Sequence, residues 1–214
     1  TTLFRSEAAE LGLRNRDPER EDVAHTRAAL AMCENIDWNV GRVLQKLDEQ
    51  AIADNTIVVY FSDNGPNGWR WNGGMKGRKG SLDEGGLRVP FFIRWPGHIE
   101  AETRISEITA AIDILPTLAD LADIPLVSTE PLDGISFSPL LFGRTGDWPD
   151  RLIFSIKNVG RSQAPQVSVR TQRYRLDSNG QLFDIAADPG QNRDVSESEP
   201  EIATRLASAA SSWQ

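Results

Sequence analysis

The chain has 214 residues, 39% hydrophobic and 25% charged, an ordinary balance for a globular domain with or without a small appendage. Its net charge of −8 and sequence pI near 4.9 argue against nucleic acid as a partner. No apolar run approaches the roughly 20 residues of a membrane span, and the single Cys33 excludes an intrachain disulfide.

Residues 1–21 are polar, with Arg14, Arg16, Asp17, Pro18, Glu19, Arg20 and Glu21 in close order, and read as a connecting segment. From Asp22 to about Gln50 the pattern turns helical. Ala28, Met32, Ile36, Val40, Val43, Leu44 and Leu47 form one apolar stripe. Cys33, beside the stripe, is expected to be a small buried hydrophobe, and His25 a surface residue. Ile57-Val58-Val59-Tyr60-Phe61 then reads as a strand buried on both faces, as in a parallel sheet covered by helices. Helix and strand together make half of a βαβ crossover.

The strand stops at Ser62-Asp63-Asn64-Gly65, which puts a carboxylate and a carboxamide at its carboxyl end, the edge where open α/β sheets bind ligands. Two oxygen donors suit a hard cation such as calcium or magnesium. Calcium takes roughly six to eight oxygens, so other groups must complete the shell. Asp-Asn-Gly is also a common turn. Eight of the 17 glycines fall between Gly65 and Gly86, interleaved with Arg70, Lys76, Arg78 and Lys79. Glycines that let the backbone approach a ligand, set among cations, suit an anion. Lys76 and Arg78 also read as ordinary solvated loop residues. Trp69 and Trp71 offer rings for stacking on an aryl group or a sugar, or simply anchor the loop.

Val89–Trp95 reads as a second strand and Ile105–Ile108 as another short one, with His98 facing solvent in the turn between them. Asp113–Ala122 is an apolar helix with Pro116 in its first turn, and Ser138–Leu141 a short helix. From about residue 150 the texture changes to short strands, Arg151–Ile156, Gln166–Arg170, Arg173–Asp177 and Gln181–Asp184. Ser178-Asn179-Gly180 makes a hairpin turn between the last two. Pro200–Trp213 is a terminal amphipathic helix with Ile202, Leu206 and Ala209 inward.

Ser62-Asp63-Asn64-Gly65 followed by Lys79-Gly80-Ser81-Leu82-Asp83-Glu84-Gly85-Gly86-Leu87-Arg88-Val89-Pro90 resembles the sulfatases of the alkaline-phosphatase-like superfamily. The resemblance extends over the A-I-D-I-L-P-T run at 111–117, the L-D-G-x-S-x-x-P-L-L run at 132–141, and the V-R-T-x-x-Y-x-L and G-x-L-F-D segments from 169 onward. It implies an α/β fold with a mostly parallel sheet flanked by helices, present in part over 22–149. A small C-terminal antiparallel subdomain with a terminal helix follows over 150–214. It implies Asp63 and Asn64 as calcium ligands, with magnesium a poorer candidate, and Lys79 as the lysine that binds the sulfate. Its substrates would be aryl or carbohydrate sulfate esters, in a periplasmic or extracellular setting.

The family's nucleophile is a formylglycine made in a C/S-x-P/A-x-R segment, and Cys33, followed by Glu34-Asn35-Ile36-Asp37, does not match it. The family's Asp pair, histidines and second lysine are not matched either. The chain therefore reads as the C-terminal portion of a sulfatase, inactive without the N-terminal half. Its apolar faces are expected to need that half, another chain or self-association. Two alternatives remain at this stage: a phosphoesterase or phosphonate hydrolase of the same superfamily, and a non-catalytic binding module on a sulfatase-derived fold. The oxygen-only Asp63-Asn64 pair favours calcium and sulfate over the first.

Overall fold

The computed structural model describes residues 22–127, 130–144, 146, 148–158 and 165–213. The expected connecting segment at 1–21 lies outside them. Helix α1, Val23–Glu49, is capped by Asp22, whose carboxylate accepts the backbone N–H of His25 at 3.0 Å. None of its residues is buried. Val40, Leu44 and Leu47 are half-buried, whereas Leu30, Met32, Ile36 and Val43 face solvent. Cys33 is exposed rather than buried, as are Leu30, Met32 and Ile36 on the stripe beside it.

Strand β1, Val58–Phe61, pairs antiparallel with β2, Phe91–Arg94, with Tyr60 opposite Phe92 and Phe61 opposite Phe91. Burial on both faces is not seen: Val58 and Val59 are half-buried, while Tyr60 and Phe61 are exposed. Among the described strands this pair has no third, parallel neighbour. One face of the pair meets Phe137, whose ring stands edge-on to Phe91 at 5.8 Å. Phe137, Leu140 and Leu141 form a small core there with Ile93, Ile99, Ile105, Leu121 and Trp148.

Helix α2, Glu84–Leu87, is a single turn. Helix α3, Ile114–Leu121, has Pro116 buried in its first turn, as expected, and α4 is Ser138–Leu141. Asp113, fully buried before α3, accepts the N–H groups of Ala110 and Ile135 and the Arg151 guanidinium at 2.6 Å. The short strand expected at Ile105–Ile108 does not form. Its backbone is served instead by one side chain, with Gln172 accepting from Ile108 N and donating to Ser106 O.

The C-terminal part is a four-stranded antiparallel sheet in the order β3 (Ile153–Lys157), β4 (Gln166–Arg170), β5 (Tyr174–Leu176), β6 (Leu182–Asp184). The β5–β6 hairpin turns at Gly180, which adopts φ +81°. Helix α5, Pro200–Ser212, lies on the sheet, and Leu206 joins Val169, Leu176 and Leu182 in a buried core. Burying such side chains stabilises by about 1.5–3 kcal/mol each. Ile202 and Ala209 are half-buried on the same helix, as the periodicity predicted.

Candidate functional site

Asp63 and Asn64 follow β1 directly, Asp63 exposed and Asn64 half-buried. The segment that carries them is tied to the lysine-bearing loop by backbone hydrogen bonds. Gly65 N–H donates to Gly86 O at 2.9 Å, and Lys79 N–H donates to Pro66 O at 3.0 Å. The approach at Gly65 is possible only without a side chain, since a Cβ there would lie 1.8 Å from Gly85 O. Two stretches separated by a long glycine-rich excursion are thus brought side by side. Ser81 N–H closes a turn onto Arg78 O at 2.9 Å with Gly80 at φ +88°, and this turn presents Lys79 to solvent.

The neighbouring loop residues have separate positions. Lys76 is half-buried and not solvated. It pairs with Asp83 at 3.4 Å and Asp177 at 3.6 Å and lies over the Phe183 ring. Arg78 is exposed, donates to Asn67 O at 3.1 Å and stacks over Trp69 at 4.8 Å. Trp69 is thereby a loop anchor, while Trp71 is exposed. His25 is exposed but its ring comes up against Gly68, where a Cβ would sit 2.8 Å from Nδ1. His98 is also exposed and stacks on Trp95 at 3.8 Å.

The sequence reading missed the group that holds the loop from behind. Glu84 is 3% exposed, and its carboxylate is bound by Arg175 at 2.8 Å and approached by Arg170 at 3.4 Å. Burial pushes its carboxyl up, but the charges and hydrogen bonds of Arg175 and Arg170 outweigh this and leave it below the ordinary value. Burial lowers Arg170 in turn, partly offset by Glu84. The signal in the sequence was a glutamate, after Asp83 and before two glycines, in a loop rich in basic residues. Its partners lie 86 and 91 residues away.

Asp63 and Asn64 fit part of a calcium shell by donor chemistry, being adjacent oxygen donors at a strand end. Among the described residues no cluster of three His, Cys, Asp or Glu side chains is placed to hold a metal ion. Further ligands would have to come from elsewhere, from water or from substrate.

The Sulfatase family model matches residues 7–124, and that of the N-sulphoglucosamine sulphohydrolase C-terminal region matches residues 78–209. The chain belongs to the sulfatase family, and its fold is the alkaline-phosphatase-like α/β fold of that family. It is 38% identical over 136 residues to the steryl-sulfatase of Rattus norvegicus, covering 59% of this chain and 24% of that protein. Identity to human arylsulfatase A is 35% over 162 residues, 72% of this chain and 31% of the relative. The crystal structure of Ps i-CgsB in complex with k-i-k-neocarrahexaose superposes with a TM-score of 0.75 at 31% identity, over 83% of this chain and 40% of that one. The chain thus spans about a quarter to two fifths of the relatives it matches.

Proposed function

We propose that this chain is the C-terminal portion of a sulfatase that hydrolyses sulfate esters, with Asp63 and Asn64 contributing to a calcium site and Lys79 binding the sulfate group. The observation that carries this reading is the backbone tie from Lys79 to Pro66, which joins the lysine's turn to the segment bearing the two oxygen donors. A sulfate monoester is a weakly basic anion whose cleavage loads charge onto its oxygens. A divalent cation held at such donors would polarise one of them. Lys79 offers a compact, exposed ammonium on a turn whose backbone is already fixed, so little reorganisation accompanies anion binding. The relatives act on steryl and aryl sulfates by name, and the superposed Ps i-CgsB binds an oligosaccharide. An aryl or carbohydrate sulfate is therefore the substrate class.

The nucleophile is assigned to a segment other than this chain, because no residue here matches the formylglycine pattern. The chain is accordingly expected to be inactive alone and active when joined to a sulfatase N-terminal half. The test is turnover of an aryl sulfate by the purified 214-residue chain and by the joined protein. Turnover by the isolated chain, or none by a folded joined protein, contradicts the reading.

A further inference from the structure

We propose that the C-terminal sheet is the frame that positions Lys79, and that Lys157 and Glu84 are positioning residues for the anion-binding loop; this rests on the reading of Lys79 as the sulfate-binding lysine. The loop's own backbone bonds, Lys79 N–H to Pro66 O and Ser81 N–H to Arg78 O, set its turn but run beside flexible glycines. Gly77 and Gly80 both take positive φ on either side of Lys79, where a glycine hinge favours many conformations. It is also held from outside at close intervals, each time by a residue of the C-terminal part. Lys157 Nζ donates to Gly80 O at 2.6 Å. Arg175 Nη1 donates to Leu82 O at 3.0 Å. Gln191 spans two residues, its Nε2 donating to Asp83 Oδ1 at 3.2 Å and its Oε1 accepting Glu84 N–H at 2.8 Å. The Glu84 carboxylate completes the series with Arg175 and Arg170.

These contacts have two different characters. The Glu84–Arg175 pair is buried, so each depends on the other for its counter-charge, and together they hold α2. Lys157 is exposed at the end of β3 and reaches across to the carbonyl of the residue that follows Lys79. That bond fixes the Lys79–Gly80 turn without taking part in the core of either half. Its loss would loosen the turn and leave the rest of the fold intact. A charge-assisted hydrogen bond at an exposed site corresponds to roughly a fivefold change in the local equilibrium.

The experiment uses the full 214-residue chain with inorganic sulfate as the probe. Amide hydrogen exchange of residues 79–83, the sulfate response at Lys79 and the urea midpoint are compared among the parent, Lys157→Met, Lys157→Arg and Glu84→Gln. Lys157→Met is expected to keep the urea midpoint, to speed exchange at 79–83 about fivefold and to weaken sulfate binding by a similar factor. Lys157→Arg, which keeps the donor, is expected to restore both. Glu84→Gln should speed exchange more but lower the midpoint as well. The proposal is overturned if Lys157→Met leaves exchange and sulfate affinity at parental values, or changes exchange only together with the midpoint. A parent with no sulfate response at Lys79, both alone and joined to a sulfatase N-terminal half, contradicts the underlying sulfate assignment. A parental response that survives Lys157→Met contradicts the positioning role alone.

Discussion

Glu84 and Arg175 meet at 2.8 Å, both almost wholly withdrawn from solvent, although 91 residues separate them in the chain. One is the glutamate of the loop that carries Lys79, and the other lies on β5 of the C-terminal sheet. Arg175 also donates to Ser168 Oγ at 3.0 Å, so the pair is embedded in the β4–β5 ladder. This contact makes the two halves of the molecule one structural unit.

Removing the carboxylate charge leaves buried Arg175 and half-buried Arg170 without their counter-ion. Breaking one partner of such a buried pair costs about 3–5 kcal/mol. Glu84→Gln is therefore expected to lower the unfolding free energy by that order in urea. A loss below about 1 kcal/mol, the ceiling for an exposed pair, would show that the cluster is not closed in solution.

The same pair gives an acid dependence with a definite sign. The carboxyl of Glu84 is lower in the folded chain than its ordinary value of 4.5. Its stabilising contribution is complete above that ordinary value and is lost as pH falls through the depressed folded one. Unfolding measured against pH should steepen below about pH 4.5 in the parent and flatten in Glu84→Gln. Equal slopes in the two proteins would assign the acid sensitivity elsewhere.

Apolar surface is left uncovered in the other half. Tyr60 and Phe92 face each other across β1 and β2 with ring centroids 6.2 Å apart, and Phe92 is 64% exposed. Leu30, Met32 and Ile36 on α1 are likewise exposed. The chain alone is expected to self-associate in sedimentation velocity, and Phe92→Ser to shift the distribution toward monomer. A parent that sediments as monomer throughout the micromolar range would contradict this.

What the sequence made legible followed local rules. The extent of α1, the Gly180 hairpin, α4 and the inward face of α5 each depend on residues a few positions apart, and each appears where the pattern placed it. What it hid depended on distant partners. Strand β1 looked doubly buried because its residues are apolar, but burial is set by neighbours, and among the described strands it pairs with β2 only. Cys33 was misjudged for the same reason. Ile105–Ile108 had strand composition, yet Gln172 supplied its hydrogen bonds in place of a ladder. For the proposed site, motif and order named Asp63, Asn64 and Lys79, whereas Arg175 and Arg170 behind Glu84 and the reach of Lys157 were not legible. Lys76 read as a loop cation and is in fact tied to Asp83 and Asp177.

The central claim is that oxygen donors after β1 and the ammonium of Lys79 act together on one anion. It is tested most directly by titrating sulfate, with and without calcium, into this chain joined to a sulfatase N-terminal half, and into its Asp63→Ala and Lys79→Ala variants. The account predicts that calcium tightens sulfate binding in the parent, that Asp63→Ala removes the calcium effect, and that Lys79→Ala weakens sulfate binding about tenfold or more in both conditions. Sulfate affinity indifferent to calcium and to Lys79 would contradict it.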